Sequence, residues 1–126
     1  MSKLVPKSVA GAIAVAILWS VAPAAQSKFT LKVHTGRGQV GYDVNSTMIS
    51  GERDMVVIDP QFSLSEAHKL AAEILESKKR LTTVYATHAH PDHLFGFAVL
   101  KQAFPEAKIV ALPATVNAAI PPDDCP

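Results

Sequence analysis

The chain has 126 residues, with 12 basic and 11 acidic side chains, a formal net charge of +1 and one cysteine. This length suits one small domain, and the balanced charge, without a basic stripe interleaved with aromatic side chains, argues against a nucleic-acid-binding protein. A single cysteine excludes a framework of internal disulfides.

The amino terminus has the layout of a secretory signal peptide, which we assign to residues 1–24. Lys3 and Lys7 precede an apolar run over residues 9–18, and small residues follow at positions 22–24. This order predicts cleavage after Ala24 and a periplasmic or secreted protein. An uncleaved anchor is the alternative, but the apolar run is interrupted before the ~20 residues that a membrane span needs. We therefore expect no stable membrane insertion after cleavage.

Cleavage at this point leaves residues 25–126 as one partial domain. This part holds ten basic and 11 acidic residues, so its net charge is near −1. About 100 residues are enough for one small hydrophobic core. Cys125 lies in a proline-rich tail, and neither its spacing nor its neighbours indicate a disulfide partner or a metal ligand.

The domain begins with a predicted strand. Phe29, Leu31 and Val33 alternate with polar residues, which is typical of a half-buried strand. His34 falls on the polar side of this strand and is expected at the surface. Residues 35–38 contain two glycines and are predicted to form a turn.

A hairpin and a helix are predicted next. Residues 44–50 and 54–58 are strand-like and flank a loop at residues 51–53 whose length suits an antiparallel hairpin. Ser63 and Glu66 then form a capping box at the start of a helix. Apolar side chains recur through this helix at the spacing of one helical face, at Ala67, Leu70, Ala71, Ile74 and Leu75.

The rest of the chain alternates strands and helices. An apolar strand is predicted over residues 81–86 and a helix over residues 94–104, which Pro105 ends. A further strand over residues 108–112 and a helix that begins at Pro113 follow. The three residues before residue 81 are basic and are predicted to be the charged end of the preceding helix. This order is typical of an α/β fold.

Three imidazoles and a carboxylate lie within six residues between the strand at 81–86 and the helix after it. They belong to His88, His90, Asp92 and His93. Imidazole nitrogen and carboxylate oxygen are the usual ligands of zinc and related divalent ions. A solvated His-rich loop is the alternative, but the carboxyl end of a strand is where α/β proteins build their sites. The cluster therefore predicts a metal site, with two adjacent ions as the natural arrangement.

This cluster resembles the His-x-His-x-Asp-His motif of the metallo-β-lactamase superfamily, and the resemblance extends from about residue 44 to about residue 119. It implies half of an αββα sandwich, with a mixed sheet and helices on one face. Asp59 directly follows the strand at residues 54–58. The resemblance implies that it supports the metal ligands without binding the metal itself. The other face of the sheet would be exposed in an isolated half, from which we expect poor solubility.

The resemblance also implies individual roles. His88 and His90 would bind a first metal ion, and Asp92 and His93 a second. Zinc is the expected ion, with manganese or iron as alternatives. A metal-bound hydroxide would attack an ester, amide, lactone or thioester bond of a small-molecule substrate, and Asp92 would act in catalysis by orienting the attacking water.

The sequence departs from the family pattern after His93. The pattern includes a later His for the first metal, a bridging Asp, and a final His for the second, but no His follows His93. The later aspartates, Asp123 and Asp124, lie in the proline-rich tail and are not assigned as ligands. A catalytic zinc usually has three protein ligands. We therefore expect a truncated hydrolase; the alternatives are a non-catalytic exported metal-binding fragment and a homodimer that builds one site from two half-domains.

Overall fold

The computed structural model describes residues 29–37 and 43–120. The predicted signal peptide lies outside the described residues, as do Gly38, Asp123, Asp124 and Cys125. Within the described ranges, no helix is long and apolar enough to cross a membrane.

One mixed sheet with three helices accounts for the described elements. The strands are β1 (Thr30–Arg37), β2 (Asp43–Ser50), β3 (Asp54–Ile58), β4 (Arg80–Ala86) and β5 (Lys108–Ala111). The helices are α1 (Leu64–Glu76), α2 (Phe97–Ala103) and α3 (Pro113–Ala119), with a short 3-10 turn at Pro91–His93. The strands follow the order β1-β2-β3-β4-β5, antiparallel from β1 to β3 and parallel from β3 to β5. The predicted α/β fold with a mixed sheet is confirmed.

The hairpin of β2 and β3 has the predicted loop, but the predicted turn after β1 is wrong. Thr35 and Gly36 continue β1 and pair with residues of β2. Gly36 instead leaves room for the Gln61 side chain, because a Cβ there would lie 1.9 Å from Oε1 of Gln61. The glycine therefore marks a close approach of a side chain rather than a turn.

Helix α1 carries most of the predicted apolar face. Ser63 caps it as predicted, since its Oγ accepts a hydrogen bond from the backbone N–H of Glu66 at 3.3 Å. Leu75 is exposed, so the predicted stripe is wrong at that position. The remaining stripe packs with sheet and α2 side chains in one core, which comprises Met48, Met55, Val57, Ala67, Leu70, Ala71, Ile74, Leu81, Val84, Val99, Leu100 and Ala107.

Two helix boundaries differ from the prediction. Helix α1 ends at Glu76, and Lys78 adopts a positive φ of 56° just beyond the end. Arg80 is therefore not the end of a helix but the first residue of β4, where its Nε lies 2.8 Å from Oδ1 of Asp54. Helix α2 begins at Phe97 rather than at residue 94, because residues 91–96 are taken up by the 3-10 turn and its exit.

The two faces of the sheet differ sharply. Helices cover one face, as predicted, whereas Phe29, Leu31 and Val33 are 69%, 68% and 54% exposed on the other. The strand registry carries this open face across the sheet through Ile49, Val56, Ile58, Tyr85 and Val110. The predicted half-buried strand exists, but its buried side is the polar one.

His34 is buried on that polar side, so its predicted surface position is wrong. Its Nδ1 lies 2.7 Å from Oε1 of Glu73 and its Nε2 3.3 Å from Oε2 of Glu66, both on α1. Lys32 pairs with Glu73 at 2.8 Å, and Lys69 pairs with Glu66 at 2.7 Å. The contacts of His34 and Lys32 hold the first strand of the sheet against α1, and the Lys69 pair lies within the helix.

We predict that acid weakens this β1–α1 contact. The hydrogen bond from Lys69 holds the pKa of Glu66 below its ordinary value of 4.5. Burial raises the pKa of Glu73, but the contacts with Lys32 and His34 outweigh burial and lower it. A carboxylate whose pKa is lower in the folded state stabilises the fold above its unfolded pKa, and that stability is lost as the pH falls through the folded pKa.

Urea unfolding of the full chain at a series of pH values between about 3 and 7 tests this expectation. The free energy of unfolding should fall as the pH drops below 4.5, the ordinary value of both groups. The double variant Glu66→Gln, Glu73→Gln should be less stable at neutral pH and should show a flatter acid limb. An acid limb of the same slope in both proteins would show that these carboxylates do not carry the effect.

Candidate metal centre

The predicted ligands lie together in a loop after the carboxyl end of β4. We call residues 87–93 the His loop. The ring centroids of His88 and His90 are 4.7 Å apart, and those of His88 and His93 are 4.1 Å apart. The 3-10 turn brings Asp92 beside His93, with Oδ2 3.3 Å from Nε2. The fold therefore gathers all four predicted side chains in one small region.

Asp59 lies directly beneath the His loop, at the end of β3 beside β4. It is 6% exposed and adopts a positive φ of 56°. Its Oδ1 accepts a hydrogen bond from the backbone N–H of Thr87, and its Oδ2 accepts one from the Thr87 hydroxyl, each at 2.8 Å. Nδ1 of His93 lies 2.9 Å from the same Oδ2, at ion-pair distance but without the alignment of a hydrogen bond. This position suits the supporting role that the sequence predicts for Asp59.

The segment around Asp59 is strained and tightly held. Gln61 also has a positive φ, at 88°, and non-glycine residues in this region are strained unless their surroundings hold them. The Ser46 hydroxyl donates to the backbone carbonyl of Asp59. The buried amide of Gln61 donates to Ser46 Oγ at 2.8 Å and to the carbonyl of Val44 at 3.0 Å. These bonds anchor the Asp59 segment to β2.

Gly96, just beyond the His loop, is bound to the same segment. Its backbone N–H donates to the carbonyl of Gln61 at 2.9 Å. A Cβ at Gly96 would lie 1.8 Å from the carbonyl oxygen of Pro60, so no other residue fits without a backbone shift. The segment that holds Asp59 is therefore bound both to Thr87, at the start of the His loop, and to Gly96, just after its end.

Thr87, Ser46 and Gln61 are parts of the site that were not predicted from the sequence. Thr87 immediately precedes the first predicted ligand, which is a usable signal for a supporting hydroxyl. Ser46 and Gln61 carry no comparable signal, because their partners are backbone groups that only the folded sheet brings near.

A cavity of about 570 Å³ opens beside the His loop. It is lined by Phe62, His90, Pro91, Asp92 and Phe95. The rings of Phe62 and Phe95 stack with centroids 5.5 Å apart and an angle of 18° between their planes. The cavity thus joins two of the predicted ligands to an apolar aromatic wall, an arrangement typical of sites for small organic ligands.

The donor chemistry fits a zinc ion in part. Imidazole nitrogens and a carboxylate oxygen are the right ligand types. Among residues 29–37 and 43–120, however, no three His, Cys, Asp or Glu side chains are grouped so that they could hold one ion. A catalytic zinc usually takes three protein ligands, so the described residues fit only part of a coordination shell. The assignment of His88, His90, Asp92 and His93 as ligands stays a prediction.

One family model matches a range of the sequence that includes the His loop. The model of the metallo-beta-lactamase superfamily matches residues 40–119. No curated protein matches the sequence significantly.

Three crystal structures show the fold to which the chain is similar. The DIM-1 metallo-beta-lactamase is 17% identical with a TM-score of 0.59, and the match covers 70% of this chain and 44% of that one. The FIM-1 enzyme from Pseudomonas aeruginosa, in its mono-zinc form, is 17% identical with a TM-score of 0.57, covering 72% and 41%. ETHE1 from Myxococcus xanthus is 22% identical with a TM-score of 0.52, covering 64% and 34%. The chain therefore spans less than half the length of these proteins.

We predict that Gly96→Ala destabilises the protein because the new methyl group would overlap the Pro60 carbonyl. A loss of about 1–3 kcal/mol is expected from overpacking of this kind. Gly51→Ala is the matched control, since the nearest atom to a Cβ there lies at 3.8 Å, an ordinary contact. Thermal unfolding of the metal-free chain measures both. Equal stability of the two variants would contradict the close packing inferred at Gly96.

Proposed function

The chain belongs to the metallo-beta-lactamase superfamily, whose members are metal-dependent hydrolases. We propose that it supplies part of the active site of an exported hydrolase. Its substrate would be a small molecule with an ester, amide, lactone or thioester bond. The ion would be zinc, as one ion or two, with manganese or iron as alternatives.

The observation that carries this proposal is the convergence of the His loop on one end of the sheet. His88, His90 and His93 meet above the buried carboxylate of Asp59, and His90 and Asp92 line the adjoining cavity. Three imidazoles held this close have little structural value of their own, because none belongs to the hydrophobic core. Binding of two ions, each by two of the four predicted ligands, would account for their proximity.

Each side chain has a definite task in this proposal. His88 and His90 would hold one ion, and Asp92 and His93 a second. A bound zinc supplies Lewis acidity and makes water a nucleophile at neutral pH. Asp92 lines the cavity and would orient that water by accepting a hydrogen bond from it. The stacked rings of Phe62 and Phe95 would contact an apolar part of the substrate and exclude bulk water.

The remaining metal ligands must come from outside the described residues. The match covers 44% of one solved structure and 41% of another, so each of those proteins has a large part that this chain does not match. Additional sequence would provide these ligands, or a second copy of the chain would do so in a homodimer.

A hydrolysis assay of the full chain with and without zinc tests the proposal. If a second copy of the chain completes the site, we expect zinc-dependent turnover of at least one substrate among a lactam, a lactone and a thioester. His88→Ala and Asp92→Ala should abolish it, since each removes a predicted ligand. His68→Ala is the control, because His68 is exposed on α1 away from the His loop and its loss should leave the rate unchanged.

The same assay separates the alternatives. Tight zinc binding without turnover of any substrate would favour a non-catalytic exported metal-binding chain. A rate per chain that rises steeply with protein concentration would favour the homodimer. Failure of the chain to bind zinc, manganese or iron would contradict the proposed function in every form.

Export is a separate part of the proposal, supported by the basic, apolar and small-residue order of residues 1–24. We predict that the chain made in a Gram-negative host is recovered from the periplasm with Ala25 as its first residue. Amino-terminal sequencing and cell fractionation provide the measurement. Cytoplasmic protein that still begins at Met1 would contradict a cleaved signal peptide.

A further inference from the structure

Thr87 occupies an unusual place between a buried carboxylate and a predicted metal ligand. Its hydroxyl oxygen lies 2.8 Å from Oδ2 of Asp59 and also 2.8 Å from Nδ1 of His88. Its backbone N–H donates to the other oxygen of Asp59, at 2.8 Å. Thr87 is therefore bound to Asp59 through both its backbone and its hydroxyl. The hydroxyl contacts a second polar partner, His88, at the same time.

The single hydroxyl proton can serve only one of these partners. A carboxylate has no proton to offer, so the Thr87 hydroxyl must donate to Asp59. The hydroxyl oxygen then has lone pairs but no proton left for His88. The contact with Nδ1 of His88 is a hydrogen bond only if Nδ1 carries the proton and donates it.

We propose that Thr87 is a positioning residue that sets the tautomer of His88. Through it, the Asp59 carboxylate keeps the proton of the neutral imidazole on Nδ1 and leaves the lone pair on Nε2. A metal ion takes a lone pair of neutral imidazole, so the hydroxyl would decide which nitrogen of His88 is available as a ligand.

The surrounding contacts explain why this arrangement is durable. Asp59 cannot turn away easily, because the Ser46 hydroxyl binds its carbonyl and its own backbone N–H donates to the carbonyl of Tyr85 at 2.9 Å. Its burial also makes loss of the Thr87 hydrogen bonds costly. His93 contacts the same Asp59 oxygen as Thr87, so the exposed His68 on α1 is the internal reference instead.

The tautomer can be read in the metal-free full chain labelled with ¹⁵N at histidine, at about pH 8, where an ordinary imidazole is neutral. Long-range ¹H–¹⁵N correlation spectra distinguish a protonated ring nitrogen from one with a lone pair. We expect Nδ1 of His88 to be protonated in the unaltered chain and in Thr87→Ser. Thr87→Val, which keeps the shape but lacks the hydroxyl, should shift His88 toward the Nε2-protonated form and leave His68 unchanged.

Zinc affinity, measured by competition with a chromophoric chelator, gives a second readout. Thr87→Val should bind zinc about 10- to 100-fold more weakly, the usual effect of losing a hydrogen bond behind a ligand, and Thr87→Ser should restore the affinity. Thermal unfolding of the metal-free variants checks that both fold. If Thr87→Val does not fold, the spectrum of the unaltered chain alone still decides which nitrogen is protonated.

The proposal is overturned if Nδ1 of His88 is unprotonated in the unaltered chain, or if Thr87→Val leaves the tautomer as it was. It rests on the proposed function only for its effect on metal binding, because the tautomer is read without metal or substrate. Failure of the unaltered chain to bind zinc, manganese or iron would contradict the proposed function and leave the tautomer result valid.

Discussion

The buried carboxylate of Asp59 is the interaction on which the arrangement of this site depends. It lies at the end of β3, one strand away from the end of β4, and it binds both the backbone and the hydroxyl of Thr87. Because parallel strands end at the same edge of a sheet, a residue that follows one strand can organise the loop that follows its neighbour. The direction of the His loop therefore follows from the pairing of two strands far apart in sequence.

Strain and close packing accompany this arrangement. Asp59 and Gln61 both have positive φ values, and the chain tolerates them because buried hydrogen bonds and two glycines hold the segment. Gly36 makes room for the Gln61 side chain, and Gly96 makes room for the Pro60 carbonyl. Conformational strain of this kind collects at functional sites, where a loop must be held in one geometry. A side chain at Gly96 would therefore force a backbone shift, and one at Gly36 would displace the Gln61 side chain.

Which face of β1 is buried depends on the helix that packs against the sheet. Alternation along β1 predicts a strand with one apolar and one polar face, but it does not say which face a helix will cover. Here α1 brings Glu66 and Glu73 over the polar face, where they bind His34, and the apolar face stays open. An apolar strand face exposed to this extent is typical of a surface that another layer or a partner covers.

The sequence by itself determined the order of strands and helices, the fold class and the place of the His loop, because these depend on local periodicity and on one dense motif. Helix boundaries near residues 76 and 97 and the fate of Leu75 were not readable, since the turns and packing that end helices compete locally with propensity. Only the tertiary structure decided that His34 is buried, that Gln61 anchors Asp59, and that Thr87 bridges Asp59 and His88. The contacts of His34, Gln61 and Thr87 with these partners join residues that are 15 to 39 positions apart. No local sequence pattern specifies a partner at that distance.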